Sequence, residues 1–405
     1  MEFEHSTTLP QGFAWSALRA GIKASGNLDV ALAVAPKGAN AAVMFTRNQV
    51  VAAPVTVGRR HLSATGGRVK AVLINAGNAN CATGEAGIRA CVDSCRAAAE
   101  SVGCIFDEVF PSSTGIIGVP LPVDKLVGAI PAVVAALGTT IAHAELFATA
   151  IMTTDTRMKV ASAIIEFGGK QARIFGTAKG AGMIHPQLGP PHATMLVYLF
   201  TDIVADPATL REALEPAAET TFNSISIDGD TSTNDTVLLL ASGASGLVLN
   251  AESRPTFDDA LQAVCASLAF KIVDDGEGVT HVVTLEISGA KTAADAKTVA
   301  KAIAHSPLNK CAWSSADPNW GRLMAAAGYS GVTFNPENVT IWIGDQLVFE
   351  HGMRAALFNA EAAHQAMLPR EYTIRIALGE GDAACTFLTC DLTEEYVRIN
   401  ADYST

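Results

Sequence analysis

The residues best placed to do chemistry meet at one junction. Lys179-Gly180-Ala181-Gly182-Met183-Ile184-His185-Pro186-Gln187-Leu188-Gly189-Pro190-Pro191-His192 carries the Gly and Pro signals of a long loop. It stops abruptly at Ala193-Thr194-Met195-Leu196, where an apolar strand begins. A threonine hydroxyl there can attack the carbonyl carbon of the preceding residue, provided the loop holds that peptide bond strained and donors await the oxyanion. Cleavage would free an α-amine with a pKa of about 8. That amine lies beside the hydroxyl and can serve as its base, one way of activating a poor nucleophile. From residue types alone, Thr194 also fits an ordinary β-branched strand opener, and that plainer reading leads.

Other segments carry further candidates. Ser112-Ser113-Thr114-Gly115-Ile116-Ile117-Gly118 follows a strand-like Glu108–Phe110 and Pro111. A turn there would aim main-chain N–H groups and the Thr114 hydroxyl into a cleft, as an oxyanion hole requires, and a plain Gly-bearing turn fits equally. Asp274-Asp275-Gly276-Glu277-Gly278 sets three acids in a flexible turn; acidic turns usually face solvent. Glu277 stands between two glycines, where backbone can approach a ligand and the carboxylate can receive an amine. Asp228–Asp235 resembles a calcium loop only superficially, because Leu239 occupies the twelfth position where Glu is needed. It reads as a polar, hydrogen-bonded turn without a metal. Arg173–Ala178 matches a pyrophosphate-gripping R-x-x-G-x-A loop, but the helix that should follow is missing. The nine histidines are scattered and form no set with Ser and Asp or with Cys, which favours a mechanism without a histidine base.

The chain that must position these residues has 405 residues, 49% of them hydrophobic and 17% charged, enough for a large core and unlike a disordered protein. A formal net charge of -12 without a basic run argues against a nucleic-acid partner. Met1–Gln11 carries two acids and no apolar stretch of a secretory signal. The longest apolar run, Leu126–Ala142, contains Gly128, Pro131 and Gly138 and falls short of the ~18–20 residues a bilayer requires. It reads as a buried Ala-rich helix, and a soluble cytoplasmic protein is expected. Eight cysteines in this length are no disulfide framework; Cys91 and Cys95 read as reduced core residues rather than zinc ligands.

Apolar patterning predicts strands at Asn27–Ala35, Ala41–Val51, Lys70–Ala76, Lys159–Phe167, Thr194–Ile203, Thr236–Ala241, Thr280–Ile287, Val339–Ile343, Tyr372–Ala377 and Ala384–Leu392. It predicts helices at Glu85–Val102, Asp206–Phe222 and Thr256–Val273, the last with Thr256 as N-cap. The result is an α/β chain of mixed order, without repeats or a dividing linker.

Taken together, these segments resemble the ornithine acetyltransferase family. The resemblance runs through Gly21-Ile22-Lys23, Asn75–Asn80, Ser113–Gly118, Met152–Thr156, Lys179–Ile184, Ala193–Leu196, Asp228-Gly229, Ser232–Thr236, Asp275–Gly278, Asp317–Arg322 and Asn400–Thr405. It implies an α/β (α+β) fold of the self-cleaving N-terminal-nucleophile type, an αββα sandwich with a second, smaller α/β domain. It also implies a precursor cut between Ala193 and Thr194 into an α chain (1–193) and a β chain (194–405), which fold together and assemble as a heterotetramer.

The family moves acetyl from N-acetyl-L-ornithine to L-glutamate in arginine biosynthesis, and many members also use acetyl-CoA. By position, Thr194 would be the nucleophile, and Thr114 and Gly115 the oxyanion hole. Thr153, Lys179, Thr194, Glu277, Asn400 and Thr405 would bind substrate. No metal, resident cofactor, nucleic acid or membrane is implied, and acetyl-CoA would enter as a substrate. Two departures stand out: extra residues at Gly189–His192, read as a tolerated bulge, and Met158 where the family commonly has proline. A hydrolytic amidase or aminopeptidase of similar architecture, and an uncleaved non-catalytic relative, are the competing readings.

Overall fold

The computed structural model describes residues 7–187 and 195–402. Its larger sheet comprises β1 (Ala14–Leu18), β2 (Val30–Phe45), β3 (Arg68–Asn78), β4 (Val109–Ile116), β5 (Lys159–Phe167), β6 (Lys170–Lys179), β7 (Leu196–Thr201) and β8 (Thr236–Ala241). The strand order is β4-β3-β2-β8-β7-β6-β5, with β1 also on β2. The helices of this unit are α1 (Ala53–Thr65), α2 (Gly84–Val102), α3 (Val123–Ala135), α4 (Ile141–Ala150), α5 (Pro207–Thr220) and α6 (Arg254–Asp274).

The long strand β2 explains the layering. Its first half pairs with β1, its second half pairs with β8, and its register against β3 shifts between Val34 and Ala39. Val30, Leu32 and Val34 pack outward with Cys91 and Cys95 of α2 and Ile130 of α3. Past the irregularity, Ala42 and Met44 pack outward with Leu210 of α5 and Leu268 of α6. Between the two halves, Ala31, Ala33, Ala41 and Phe45 share an inner core with Trp15, Phe175, Tyr198 and Phe200. The sheet therefore folds over itself between two helical layers, which is the αββα arrangement.

The second unit has strands β9 (Val282–Ala290), β10 (Thr340–Ile343), β11 (Gln346–Glu350), β12 (Met353–Arg354), β13 (Glu371–Ala377) and β14 (Ala383–Cys390), in the order β12-β11-β10-β13-β9-β14. Helices α7 (Ala293–Ala304), α8 (Pro307–Ser314), α9 (Trp320–Gly328) and α10 (Ala360–Met367) accompany it. It has a core of its own, including Leu285, Ile341, Ile374 and Phe387. A last helix, α11 (Glu394–Asp402), buries none of its side chains. A division at 193/194 would not separate these units. It falls between β6 and β7, which pair along Lys179↔Leu196, and leaves β7 and β8 flanked on both sides by strands of the first segment.

Four sequence expectations change. The strands expected at 27–35 and 41–51 are the single strand β2, because the Pro36–Gly38 break is absorbed at its irregularity. The apolar run from Leu126 forms two helices. Between them Gly138 leaves the helix to exchange main-chain hydrogen bonds with Trp15 of β1, at 2.8 and 3.0 Å. Helix α6 begins at Arg254 with Ser253 at its N-cap, because Pro255 in the first turn already favours helical φ, so Thr256 is not the cap. The Ser112–Gly115 segment is not a turn but the end of strand β4. Among the described residues no helix is long and apolar enough to cross a membrane. All eight cysteines are free, and Cys91 and Cys95 are buried.

Candidate active site

Parallel strands β3 and β4 run side by side through Asn75↔Ser113, Ala76↔Thr114 and Gly77↔Gly115. Gly115 has φ +131°, and a Cβ there would lie 2.3 Å from the carbonyl carbon of Gly77, so only glycine lets these strand ends approach. Ser113 Oγ donates to Asn75 Oδ1 at 2.7 Å, and Asn75 Nδ2 donates to the Asn78 carbonyl at 2.8 Å. Asn234, just before β8, donates from Nδ2 to the carbonyls of Ala79 (2.6 Å) and Ser113 (2.9 Å). Thr114 and Gly115 are thereby held at one end of the folded sheet.

Lys179 closes β6 and is buried. Its Nζ donates to Thr114 Oγ1 at 3.1 Å. A lysine has donors only, so the contact occupies an acceptor position of Thr114 and leaves its O–H to donate elsewhere. Burial pushes the Lys179 ammonium down, opposed by Asp155, Asp235 and Glu277, while Lys159 adds to the lowering.

Asp155 organises the next shell of the site. Its carboxylate accepts from Thr153 N (2.9 Å), Gly180 N (2.7 Å) and Lys159 Nζ (2.6 Å). Lys159 Nζ also reaches Asp275 Oδ2 at 2.5 Å, and Asp275 accepts from Thr156 N at 3.1 Å. Burial alone would raise the Asp155 carboxyl, but Lys159, Lys179 and these hydrogen bonds bring it down to about 2. One buried ionic cluster thus ties Thr153, the end of β6 and the 274–278 turn together.

That turn does not face solvent throughout, since Asp275 and Glu277 are both buried. Glu277 N donates to the Ala181 carbonyl at 2.9 Å, and Glu277 Oε2 accepts from Asn400 Nδ2 at 2.7 Å. Gly182 makes room for the carboxylate: a Cβ there would sit 2.5 Å from Glu277 Oε2. Asp228 accepts from Met183 N (2.6 Å), Ile184 N (2.9 Å) and the Tyr396 hydroxyl (3.2 Å), and burial raises its carboxyl above the usual range.

These groups surround a cavity of about 210 Å³. Thr114, Gly115, Thr153, Lys179, Glu277 and Asn400, all expected from the sequence, line it together. Leu196, the first residue of β7, lines it too, and the preceding Met195 carbonyl accepts from Thr236 N at 2.7 Å. Ala193, Thr194, Thr405 and the Gly189–His192 addition lie outside the described residues. Sequence reasoning gave no role in the site to Asp155, Lys159, Asp228, Asn234 or Tyr396. Some fall in segments that carry the resemblance, but a buried ion pair or a cross-cavity hydrogen bond leaves no local pattern. Arg173–Ala178 is not a pyrophosphate loop: it is the middle of β6, paired to β5 and β7 on its two edges. Among the described residues no group of three or more His, Cys, Asp or Glu could hold a metal ion.

The profile of the ArgJ family matches residues 14–405. The chain belongs to the ArgJ family. The arginine biosynthesis bifunctional protein ArgJ of Thermus thermophilus is 45% identical over 397 residues, covering 98% of this chain and 99% of that one. Its namesake from Parasynechococcus marenigrum is 42% identical over 398 residues, covering 98% and 95%. Among solved structures, the ornithine acetyltransferase of Mycobacterium tuberculosis complexed with ornithine is 39% identical. The match covers 44% of this chain and 94% of that chain, with a TM-score of 0.40.

Proposed function

We propose that this ArgJ family chain cuts itself between Ala193 and Thr194 and then carries acetyl on Thr194 from N-acetyl-L-ornithine to L-glutamate. As a member of its family it serves arginine biosynthesis as a glutamate N-acetyltransferase. The observation that carries the mechanism is the convergence of Thr114, Gly115, Thr153, Lys179, Glu277 and Asn400 on one cavity beside the start of β7.

Each group has a chemical task there. The Thr194 hydroxyl attacks the acetyl carbonyl while its own α-amine takes the proton. The oxyanion is received by the Thr114 hydroxyl, oriented by Lys179, and by the main chain at Gly115. Glu277, braced by Asn400, receives the side-chain ammonium of the ornithine moiety. Collapse releases ornithine with the proton, and glutamate then attacks acetyl-Thr194 through the same oxyanion site. Thr153, Lys179 and Thr405 complete the substrate contacts. Acetyl-CoA would act as an alternative donor rather than a resident cofactor. The α and β chains of two precursors would assemble as a heterotetramer in the cytoplasm.

The test is to incubate purified protein with N-acetylornithine, with and without glutamate. Glutamate-dependent release of ornithine with formation of N-acetylglutamate is expected. Acetate release indifferent to glutamate would make the protein a hydrolase instead.

A further inference from the structure

Gly21-Ile22-Lys23, between β1 and β2, carries part of the resemblance and has no use in the mechanism above. Its shape is imposed by Asp29, whose side chain is buried. The Asp29 carboxyl accepts the main-chain N–H groups of Ala20 (2.6 Å), Ile22 (2.6 Å) and Lys23 (3.0 Å), which wraps the segment around it. The Asp29 carbonyl accepts from Ala76 N at 2.8 Å, so the same residue is fastened to the end of β3. Lys23 then lies directly on Gly77. A Cβ at Gly77, where φ is +100°, would sit 2.9 Å from Lys23 Cγ and 3.1 Å from its Cα. Gly77 is also the residue whose carbonyl carbon leaves no room for a Cβ at Gly115. Lys23, Gly77 and Gly115 are therefore stacked in that order, and Gly115 lines the cavity. The lysine side chain runs on to a second anchor. Its Nζ donates to the Leu28 carbonyl at 2.5 Å and to the Ala150 carbonyl at 3.0 Å. Ala150 ends α4, where the carbonyl end of a helix favours a cation, and the chain leads on from there to Thr153.

We propose that Lys23 is a positioning residue for the transfer reaction. Its main chain backs the Gly77–Gly115 strand ends while its ammonium holds the end of α4, which fixes the oxyanion site relative to Thr153. The proposal rests on the acetyl-transfer reading of this cavity. Asp155 anchors the Thr153 amide itself, and Lys23 sets where the chain leading to that amide leaves α4. Such placement matters because oxyanion donors act only when pre-organised, and a misplacement of about 1 Å can cost ~100-fold in rate. Lys23 touches neither the cavity nor its substrate contacts, so it works only through Gly77 and Ala150.

The charge on Lys23 gives the role a pH signature. Burial lowers its ammonium to about 8; Asp29 and Asp155 oppose the lowering, and Lys179 adds to it. Lys179 and Asp155 are in turn faced by Lys159, and Lys179 also by Asp235 and Glu277. On the exposed side, Lys125 Nζ donates to the Gly21 carbonyl at 2.7 Å. Below pH 8 Lys23 is charged, and its bonds to the Leu28 and Ala150 carbonyls are charge-assisted. Above pH 8 it is a neutral amine, and both bonds weaken by about half. The rate should therefore decline as pH rises through about 8.

The decisive pair of variants is Lys23→Met and Lys23→Arg in the full chain, assayed with N-acetylornithine and glutamate across pH 6–10. Lys23→Met keeps the main-chain layer on Gly77 but loses the ammonium. Its kcat should fall about tenfold or more, its KM for N-acetylornithine should rise about threefold or more, and the decline near pH 8 should vanish. Arginine stays charged throughout this range, so Lys23→Arg should keep most of the rate and move the decline up by about one pH unit or more. A merely structural role would reduce the amount of folded enzyme while KM and the alkaline limb stayed in place. Lys23→Arg alone decides the matter if Lys23→Met does not fold, because only a titrating Lys23 makes its limb move. Wild-type kcat and KM in Lys23→Met, or an alkaline limb at the same pH in Lys23→Arg and wild type, would overturn the proposal. Wild-type protein that makes no N-acetylglutamate would instead defeat the underlying reading of the reaction.

Discussion

Replacing Lys159 by methionine removes one cation from between two buried carboxylates. The side chain is 1% exposed and its Nζ lies 2.6 Å from Asp155 and 2.5 Å from Asp275, themselves 0% and 2% exposed. Methionine approximates the shape but leaves both carboxylates facing a low-dielectric interior. Breaking a buried pair in this way typically costs about 3–5 kcal/mol.

The pH dependence carries a second signature. A carboxyl held at about 2 in the fold, against about 3.9 in an unfolded chain, contributes roughly 2.5 kcal/mol. Because the folded value is the lower one, that contribution is whole above pH ~4 and drains away as pH falls toward 2. Without Lys159, burial pushes Asp155 the other way, so the variant should lose less stability at pH 5 than at pH 8. Equilibrium urea unfolding at those two values measures both effects. A loss below about 1 kcal/mol, or one identical at both pH values, would refute this account of the cluster. Activity should fall with stability, because Asp155 also anchors the amides of Thr153 and Gly180.

Three further outcomes follow from the geometry. Gly182→Ala places a methyl 2.5 Å from Glu277 Oε2 and should break the Asn400 contact. Loss of a charged hydrogen bond of about 1.5–3 kcal/mol should raise KM for N-acetylornithine by roughly 10- to 100-fold, read from initial rates. Thr114→Val keeps the strand's β-branched shape but deletes one oxyanion donor, and kcat measurements should show a loss of about 10²- to 10³-fold. Truncation after Thr393 removes α11, which buries no side chain, so the melting temperature should hold while KM rises about tenfold or more.

How much of this was legible in the sequence depended on range. The helix at 85–102 and the strand at 236–241 could be read directly, because α2 has a regular apolar face and β8 is a continuous apolar run. Strand β6 was not read, since Lys170, Arg173, Gly176 and Lys179 obscure any period. Gly176 is there because Leu199, Val264 and Leu268 crowd the position from β7 and α6. Strand β1 was missed as well, and with it the reason the run after Leu126 breaks at Gly138. At the site, residues within recognisable segments could be named in advance. The charges that support them could not, because Lys159–Asp275 and Tyr396–Asp228 join positions far apart in the chain.

The central claim is that Thr194 cuts its own chain and then carries acetyl. Intact mass of the purified protein, taken before and after brief exposure to N-acetylornithine without glutamate, tests it most directly. Two chains, residues 1–193 and 194–405, should replace the single chain of 42.0 kDa, and only the second should become heavier by one acetyl group, at Thr194. Full glutamate-dependent transfer by an uncut chain, or an acetyl group on any other residue, would contradict it.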